Sequence, residues 1–381
     1  MVQAATGSSE DAGALLGRAR RVTLKIGSSL LIDPEGSGVR RDWLASVGDD
    51  IALLRSQGKQ VLVVSSGAVA LGRRHLGLRA SPRLDHKQAA AAAGQALLMQ
   101  AWERAMAPHL VPTAQLLLTI DDSEQRRRWL NARATLEVLF AQNALPVVNE
   151  NDSVATEELR YGDNDRLSAR CAQMIQSDLL ILLSDVDGLY TADPRRDPEA
   201  RHIPFVAEIE SVESFAAGTA AAGVGTGGMR TKLAAASIAQ AFGCATLIAR
   251  GHDANPISRL AGGALSTIVA ARGSPASAYK QWIAASLAPA GSLVIDAGAV
   301  AALSAGKSLL PAGARSVDGR FHRGACLSVR DADGREIARG ITSYASDEIR
   351  AILGCGSDRI EEKLGFRGPD ELIHRNDLVL L

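Results

Sequence analysis

LLILLS, residues 179–184, is apolar at every position up to its closing serine. With no alternation of apolar and polar positions, it reads as a strand covered on both faces. RVTLKI (21–26, stopped by Gly27), QVLVV (60–64), LLLT (116–119), PVVN (146–149) and ATLIA (245–249) read as further strands. Helical patterns fill the intervals: 42–57, closed by Gly58, an alanine-rich stretch over 87–106, then 130–142 and 229–242. Apolar strands alternating with helices imply an α/β fold with a mainly parallel sheet between helical layers. Ligands of such sheets bind beyond the carboxyl ends of the strands, so the strand ends are where function is sought.

The pattern changes after residue 265. GSLVIDAG, GACLSVRD and REIARGI are short alternating runs, with Asp-Gly turn signals at 318–319 and 333–334. They predict a small β-rich domain with hairpins. ARGSPASAYK (271–280) reads as a linker. The expected division is a flexible extension over 1–17, the α/β domain over 18–265, a linker over 266–288 and the β-rich domain over 289–375.

The 381 residues, 46% hydrophobic, are enough for two globular domains. Lys plus Arg and Asp plus Glu both number 42, so no global charge draws the chain to nucleic acid or anionic membrane. Cys171, Cys244, Cys326 and Cys355 are scattered without C-x-x-C spacing, which fits a reducing cytoplasm better than a zinc site or a disulfide framework. The first twenty residues have no apolar core, so they are not read as a signal peptide. No apolar run approaches a membrane span.

The strand ends are rich in polar residues. Lys25, with Gly27, Ser28 and Ser29 after it, would present an ammonium and backbone N–H groups to an anion, or Lys25 would only snorkel from an edge strand. Ser65-Ser66-Gly67 opens a helix and is either an anion site or a simple N-cap. NENDS (149–153) and YGDND (161–165) concentrate carboxylates and amides. These could bind Mg²⁺, receive an ammonium or orient lysines, where the plain alternative is a solvated loop of Asx turns. Two such clusters around one short connection favour function. Ser184, Asp185 and the residues to Tyr190 form a turn or line a nucleotide site. GTGGMRTK (225–232) does not fit the G-x-x-x-x-G-K-[ST] spacing of a P-loop. Lys232 falls in the first turn of a helix, where a cation is unfavourable unless an anion offsets it.

TLKIGSSLL, VVSSGAVALG, NENDSVA, YGDNDRLSA, SDVDGLYTADPR and GVGTGGMRTK occur in this order. Together they resemble the glutamate 5-kinases, a group within the amino acid kinase family, from Val22 onward. The last ninety or so residues resemble the group's PUA domain, a small pseudo-barrel. The resemblance implies a three-layer αβα sandwich. It also implies ATP- and Mg²⁺-dependent phosphorylation of the γ-carboxylate of L-glutamate, the first step of proline biosynthesis, with proline as feedback inhibitor. By motif, Lys25, Lys232 and Asp165 are the implied catalytic residues, Asp165 orienting the two lysines. Gly27, Ser184, Asp185 and Thr226, Gly227, Gly228, Met229, Arg230, Thr231 and Lys232 are implied at ATP. Ser66, Gly67, Asp152 and Asn164 are implied at glutamate, and no metal ligands are assigned. Ser65 and Ser184 stand where threonine is usual. The glycines of 225–228 suggest a loop that orders on ATP binding. A homo-oligomer, dimer or tetramer, is expected, as is handover of the labile product to glutamyl phosphate reductase.

A carboxylate nucleophile, with a reference pKa of about 4.3, is ionised at neutral pH and needs no general base. The difficulty is repulsion between anions, which two lysines and Mg²⁺ would relieve. Kinases of aspartate, N-acetylglutamate, carbamate or UMP are the nearest alternatives; the acids and amides of NEND and GDND favour a substrate with a free amine. RNA binding through the C-terminal domain is a different reading. From residue 285 onward 12 Lys plus Arg meet 13 Asp plus Glu, a net of 12 − 13 = −1, which speaks against more than weak RNA affinity. A third gives that domain a regulatory or assembly role.

Overall fold

The computed structural model describes residues 11–33, 38–79, 83–154, 163–216, 228–286 and 288–381. The chain divides into two compact units, Met1–Pro275 and Ala276–Leu381.

In the first unit α1 (Ala12–Arg18) precedes β1 (Arg21–Ile26), and α2 (Ser28–Leu31) and α3 (Arg41–Ser56) lead to β2 (Gln60–Ser65). Helices α4 (Ala68–His75) and α5 (Leu84–Met106) lead to β3 (Thr113–Leu118); α6 (Ile120–Glu124) and α7 (Arg126–Ala141) lead to β4 (Leu145–Glu150). Then follow α8 (Asp163–Met174), β5 (Leu179–Ser184), a small ribbon of β6 (Leu189–Tyr190) with β7 (His202–Ile203), β8 (Phe205–Val206) and α9 (Glu213–Ala216). The unit ends with α10 (Met229–Ala241), β9 (Ala245–Arg250), α11 (Pro256–Ala261) and β10 (Ser266–Val269).

Eight strands form one sheet in the order β3-β4-β2-β1-β5-β9-β10-β8. Neighbours run parallel except β9 and β10. The β5 run shows why continuous apolarity was needed. Leu179, Ile181 and Leu183 join the core beneath Trp43, Leu44 and Leu98, while Leu180 and Leu182 face the opposite core with Ala169, Leu233 and Ala236. Each such side chain contributes roughly 1.5–3 kcal/mol on full burial, and a strand covered on both faces collects it at every position only if every position is apolar. The result is a three-layer αβα sandwich, as expected.

Helices α4 and α5 cross at Gly72 and Gly94. A Cβ on Gly94 would sit inside van der Waals contact with the carbonyl of Ala68, and one on Gly72 would meet that of Ala90. This close crossing places the start of α4, with Gly67 at φ +117°, beside the end of β2.

The expected boundaries need correction. Residues 12–17, assigned to a flexible extension, form α1, whose Ala12, Leu15 and Leu16 are buried in the main core; residues 1–10 lie outside the described residues. An apolar i, i+3, i+4 set in seven residues is too short a signal to stand out locally. The assigned linker 266–288 contains β10, a member of the main sheet, and α12 (Pro275–Ser286). Proline at the first helical position starts α12 within the stretch read as a linker.

The second unit joins α12 to a five-stranded sheet of β11 (Gly291–Ile295), β12 (Ala314–Asp318), β13 (Cys326–Arg330), β14 (Glu336–Ile341) and β15 (Leu378–Leu380), ordered β12-β11-β13-β14-β15. Its own core includes Leu293, Leu327, Tyr344, Ile349 and Leu372. β15 pairs with β14, so the unit continues past the expected end at 375.

Candidate active site

The carboxyl ends of β1, β2, β4 and β5 lie side by side, because β1 pairs with β2 and β5, and β2 with β4. Lys25 leaves the end of β1 almost wholly buried, at 7% exposure. Asp165 stands in the first turn of α8, where the positive end of the helix dipole favours a carboxylate. Its Oδ1 is 2.6 Å from Lys25 Nζ. Its Oδ2 is 3.7 Å from Lys232 Nζ and accepts a 2.7 Å hydrogen bond from Thr231 Oγ1. Lys232 and Thr231 both come from the first turn of α10. One fully buried carboxylate is thus shared between two nearly buried ammonium groups.

Burial pushes the Asp165 carboxyl upward, but the charges of Lys25 and Lys232 and the hydrogen bonds from Lys25 and Thr231 outweigh it, so the group is held below the usual carboxylate range. Burial depresses the Lys232 ammonium; Asp165 and Asp185 oppose the shift and Lys25 adds to it. Two ammonium groups converge on the one buried carboxylate, with the exposed Asp185 as a further acid acting on Lys232. Such a site suits a polyanion.

The second half of the site begins one residue earlier on α8. Asn164 Nδ2 donates to Ser66 Oγ at 2.8 Å and to Asn149 Oδ1 at 3.2 Å. Asn164 Oδ1 and Asn149 Nδ2 are buried and have no hydrogen-bond partner among the described residues. A buried unmatched polar atom costs about 1–3 kcal/mol, so an unused acceptor beside an unused donor is an arrangement that awaits a ligand. The acceptor suits an ammonium and the donor a carboxylate. Asn149 was read from the sequence only as part of the NENDS cluster and was given no role of its own; its place at the end of an otherwise apolar strand was the available signal.

The other expected residues distribute around these two clusters. Gly27 flanks Lys25: a Cβ there would lie 3.5 Å from Lys25 Nζ. Ser184 closes β5 and its Oγ donates to Asp185 Oδ1 at 3.0 Å. Gly67 caps α4 after Ser66, and Asp152 sits in the turn beyond β4. Gly228 caps α10, Met229 turns into the core beside Leu233, and Arg230 is exposed. Thr226, Gly227 and the expected ordering of their loop lie outside the described residues. Ser65 is not available to a ligand, since its buried hydroxyl accepts from Trp102 Nε1 at 3.0 Å.

Residues 20–250 match the model of the amino acid kinase family. A glutamate 5-kinase of Caulobacter vibrioides (strain NA1000 / CB15N) is 59% identical over 366 residues, covering 95% of this chain and 97% of the relative. The chain belongs to the glutamate 5-kinases of the amino acid kinase family. Other relatives in this group include those of Paramagnetospirillum magneticum, 53% identical over 96% of this chain and 99% of the relative, and Brucella ovis, 51% identical over 95% and 96%. Residues 291–364 match the PUA domain, which accounts for the separate β-rich unit. Among the described residues no helix is long and apolar enough to cross a membrane.

Proposed function

We propose that the protein transfers the γ-phosphoryl group of ATP to the side-chain carboxylate of L-glutamate, giving L-glutamyl 5-phosphate and ADP, the first step of proline biosynthesis. The observation that carries this reading is the Asp165 carboxylate spanning the Lys25 and Lys232 ammonium groups, next to the Ser66–Asn164–Asn149 amide cluster. High identity to glutamate 5-kinases over nearly the whole chain supports the choice of substrate.

The glutamate γ-carboxylate oxygen attacks the γ-phosphorus, a new O–P bond forms, and the bond to the bridging oxygen of ADP breaks. No proton has to be removed from the nucleophile. The enzyme's task is to bring two anions together and to stabilise charge on the transferred group. Lys25 and Lys232 meet the phosphoryl oxygens, while Asp165 keeps the ammonium groups from repelling one another out of position. Ser66, Gly67, Asn164 and Asp152 hold glutamate, with Asn164 Oδ1 placed to accept from its ammonium. Gly27, Ser184, Asp185 and the segment Thr226 to Lys232 take the nucleotide, Thr231 through its backbone, since its hydroxyl is turned to Asp165.

Mg²⁺ is the cation proposed with ATP. The described residues contain no group of three His, Cys, Asp or Glu side chains that would cage a metal. That donor set fits an ion carried mainly on the phosphates and water, with Asp185 as a candidate single carboxylate. Bound there, Mg²⁺ would supply charge neutralisation of the phosphates.

The reading includes proline as feedback inhibitor, a homo-oligomer (dimer or tetramer), a cytoplasmic location and handover of the acyl phosphate to glutamyl phosphate reductase. Weak RNA binding through the PUA domain is a second reading, favoured by the domain match and opposed by the domain's near-neutral charge. The test is an ATP-dependent acyl-phosphate assay with glutamate, N-acetylglutamate and aspartate, each with and without proline. Glutamate is expected to dominate; preference for either of the others would overturn the substrate assignment, and indifference to proline would remove the inhibitor.

A further inference from the structure

Thr231 lies in the segment expected to bind nucleotide, yet its hydroxyl is turned inward. Oγ1 is 2.7 Å from Asp165 Oδ2 and 2.9 Å from the carbonyl oxygen of Gly228. A hydroxyl has one proton to give. The Gly228 carbonyl already accepts from the backbone N–H of Thr231 at 3.0 Å, and the carboxylate is both the nearer and the charged acceptor. The proton therefore goes to Asp165.

The geometry of the carboxylate makes this bond consequential. Oδ1 is drawn to Lys25 at 2.6 Å, while Lys232 stands off at 3.7 Å from Oδ2. With nothing else on Oδ2, rotation about the last side-chain bond would let the carboxylate close on Lys25 and leave Lys232 behind. Thr231 donates to the oxygen that faces Lys232, from the residue next to it in the same helical turn. Its β-branched side chain has few rotamers, which makes it a stiff strut between α10 and α8.

We propose that Thr231 is a positioning residue that acts through Asp165, locking the carboxylate across Lys25 and Lys232, and does not act through the nucleotide. This rests on the phosphoryl-transfer reading of the same site.

The test compares Thr231→Val, which keeps the β-branch and removes the hydroxyl, with Thr231→Ser, Asp165→Asn and the double variant Thr231→Val/Asp165→Asn. For each, kcat, the KM values for glutamate and ATP, and ADP affinity by calorimetry are measured. Loss of one charge-assisted hydrogen bond predicts a kcat lower by about 10- to 100-fold in Thr231→Val. ADP affinity should stay within about threefold, Thr231→Ser should recover most of the rate, and the double variant should be no slower than Asp165→Asn alone. If Thr231→Val fails to fold by circular dichroism, Thr231→Ala takes its place with the same expectation. Near-normal kcat without the hydroxyl, a loss confined to ADP affinity, no recovery with serine, or additive losses in the double variant would each overturn the positioning role. Full activity in Asp165→Asn would instead refute the underlying reading of the site.

Discussion

Replacing Asp165 with asparagine keeps shape and hydrogen-bonding capacity but deletes the charge that two ammonium groups share. At an effective dielectric of about 20, the attraction is about 6 kcal/mol to Lys25 at 2.6 Å and about 4 kcal/mol to Lys232 at 3.7 Å. Desolvation of three buried groups offsets most of this. The measured cost of removing one partner from a buried pair is about 3–5 kcal/mol. The cost is expected at the lower end, because burial already lowers the Lys232 pKa and loss of Asp165, which opposes that shift, lets its ammonium be given up more readily.

That escape has a signature. A lysine whose folded pKa lies below its unfolded value of 10.5 binds fewer protons folded than unfolded between the two values. Stability then rises with pH across that window. Asp165→Asn should lose about 3 kcal/mol in urea unfolding at pH 7, and the deficit against the wild type should narrow at pH 9. Its kcat for acyl-phosphate formation, trapped as the hydroxamate, should fall by at least about 100-fold, the scale of a lost transition-state charge contact. A variant within tenfold of wild-type kcat, or a deficit that stays constant between pH 7 and pH 9, would refute the reasoning.

Lys232→Ala should lower kcat by at least about 100-fold, with near-normal turnover refuting the role. In the wild type, kcat/KM for ATP should fall as pH rises through the folded value of Lys232, with a midpoint below the ordinary 10.5, because the protonated form meets the phosphates; a midpoint at or above 10.5 would show that Asp165 and Asp185 overcome burial. Asn164→Ala removes the amide between Ser66 and Asn149 and should raise the KM for glutamate by about tenfold or more, leaving that for ATP nearly unchanged; the reverse pattern would mean the two half-sites are exchanged. Gly94→Ala forces α4 and α5 apart and should destabilise by about 1–3 kcal/mol in thermal or urea unfolding, and an unchanged stability would show that the crossing is not tight.

Much of the first unit was legible because its signals are local. LLILLS and RVTLKI announce buried strands by composition alone, and β5 and β1 occupy the residues read from them. Helix α1 and strand β10 were missed for the same reason in reverse. Each is short, and each gains its stability from distant partners, α1 from the main core and β10 from β9 and β8. In the site, Lys25, Asp165 and Lys232 were identified by motif and come together. The directions of the Ser65 and Thr231 hydroxyls could not be read, since a hydroxyl in a motif does not show which way it points. Trp102 takes the first and Asp165 accepts from the second.

The sequence by itself determined six of the eight strands of the main sheet, the motif residues at their carboxyl ends and the division into an α/β unit and a β-rich unit, because apolar continuity and turn residues act over a few neighbouring positions. Only the tertiary structure decided how closely the Asp165 carboxylate approaches each lysine, that the Thr231 hydroxyl turns to it and that Asn149 joins Asn164. Those contacts depend on the strand order β4-β2-β1-β5 and on where α8 and α10 begin above it. Strand order is set by the packing of the whole core, and no short stretch of chain encodes it.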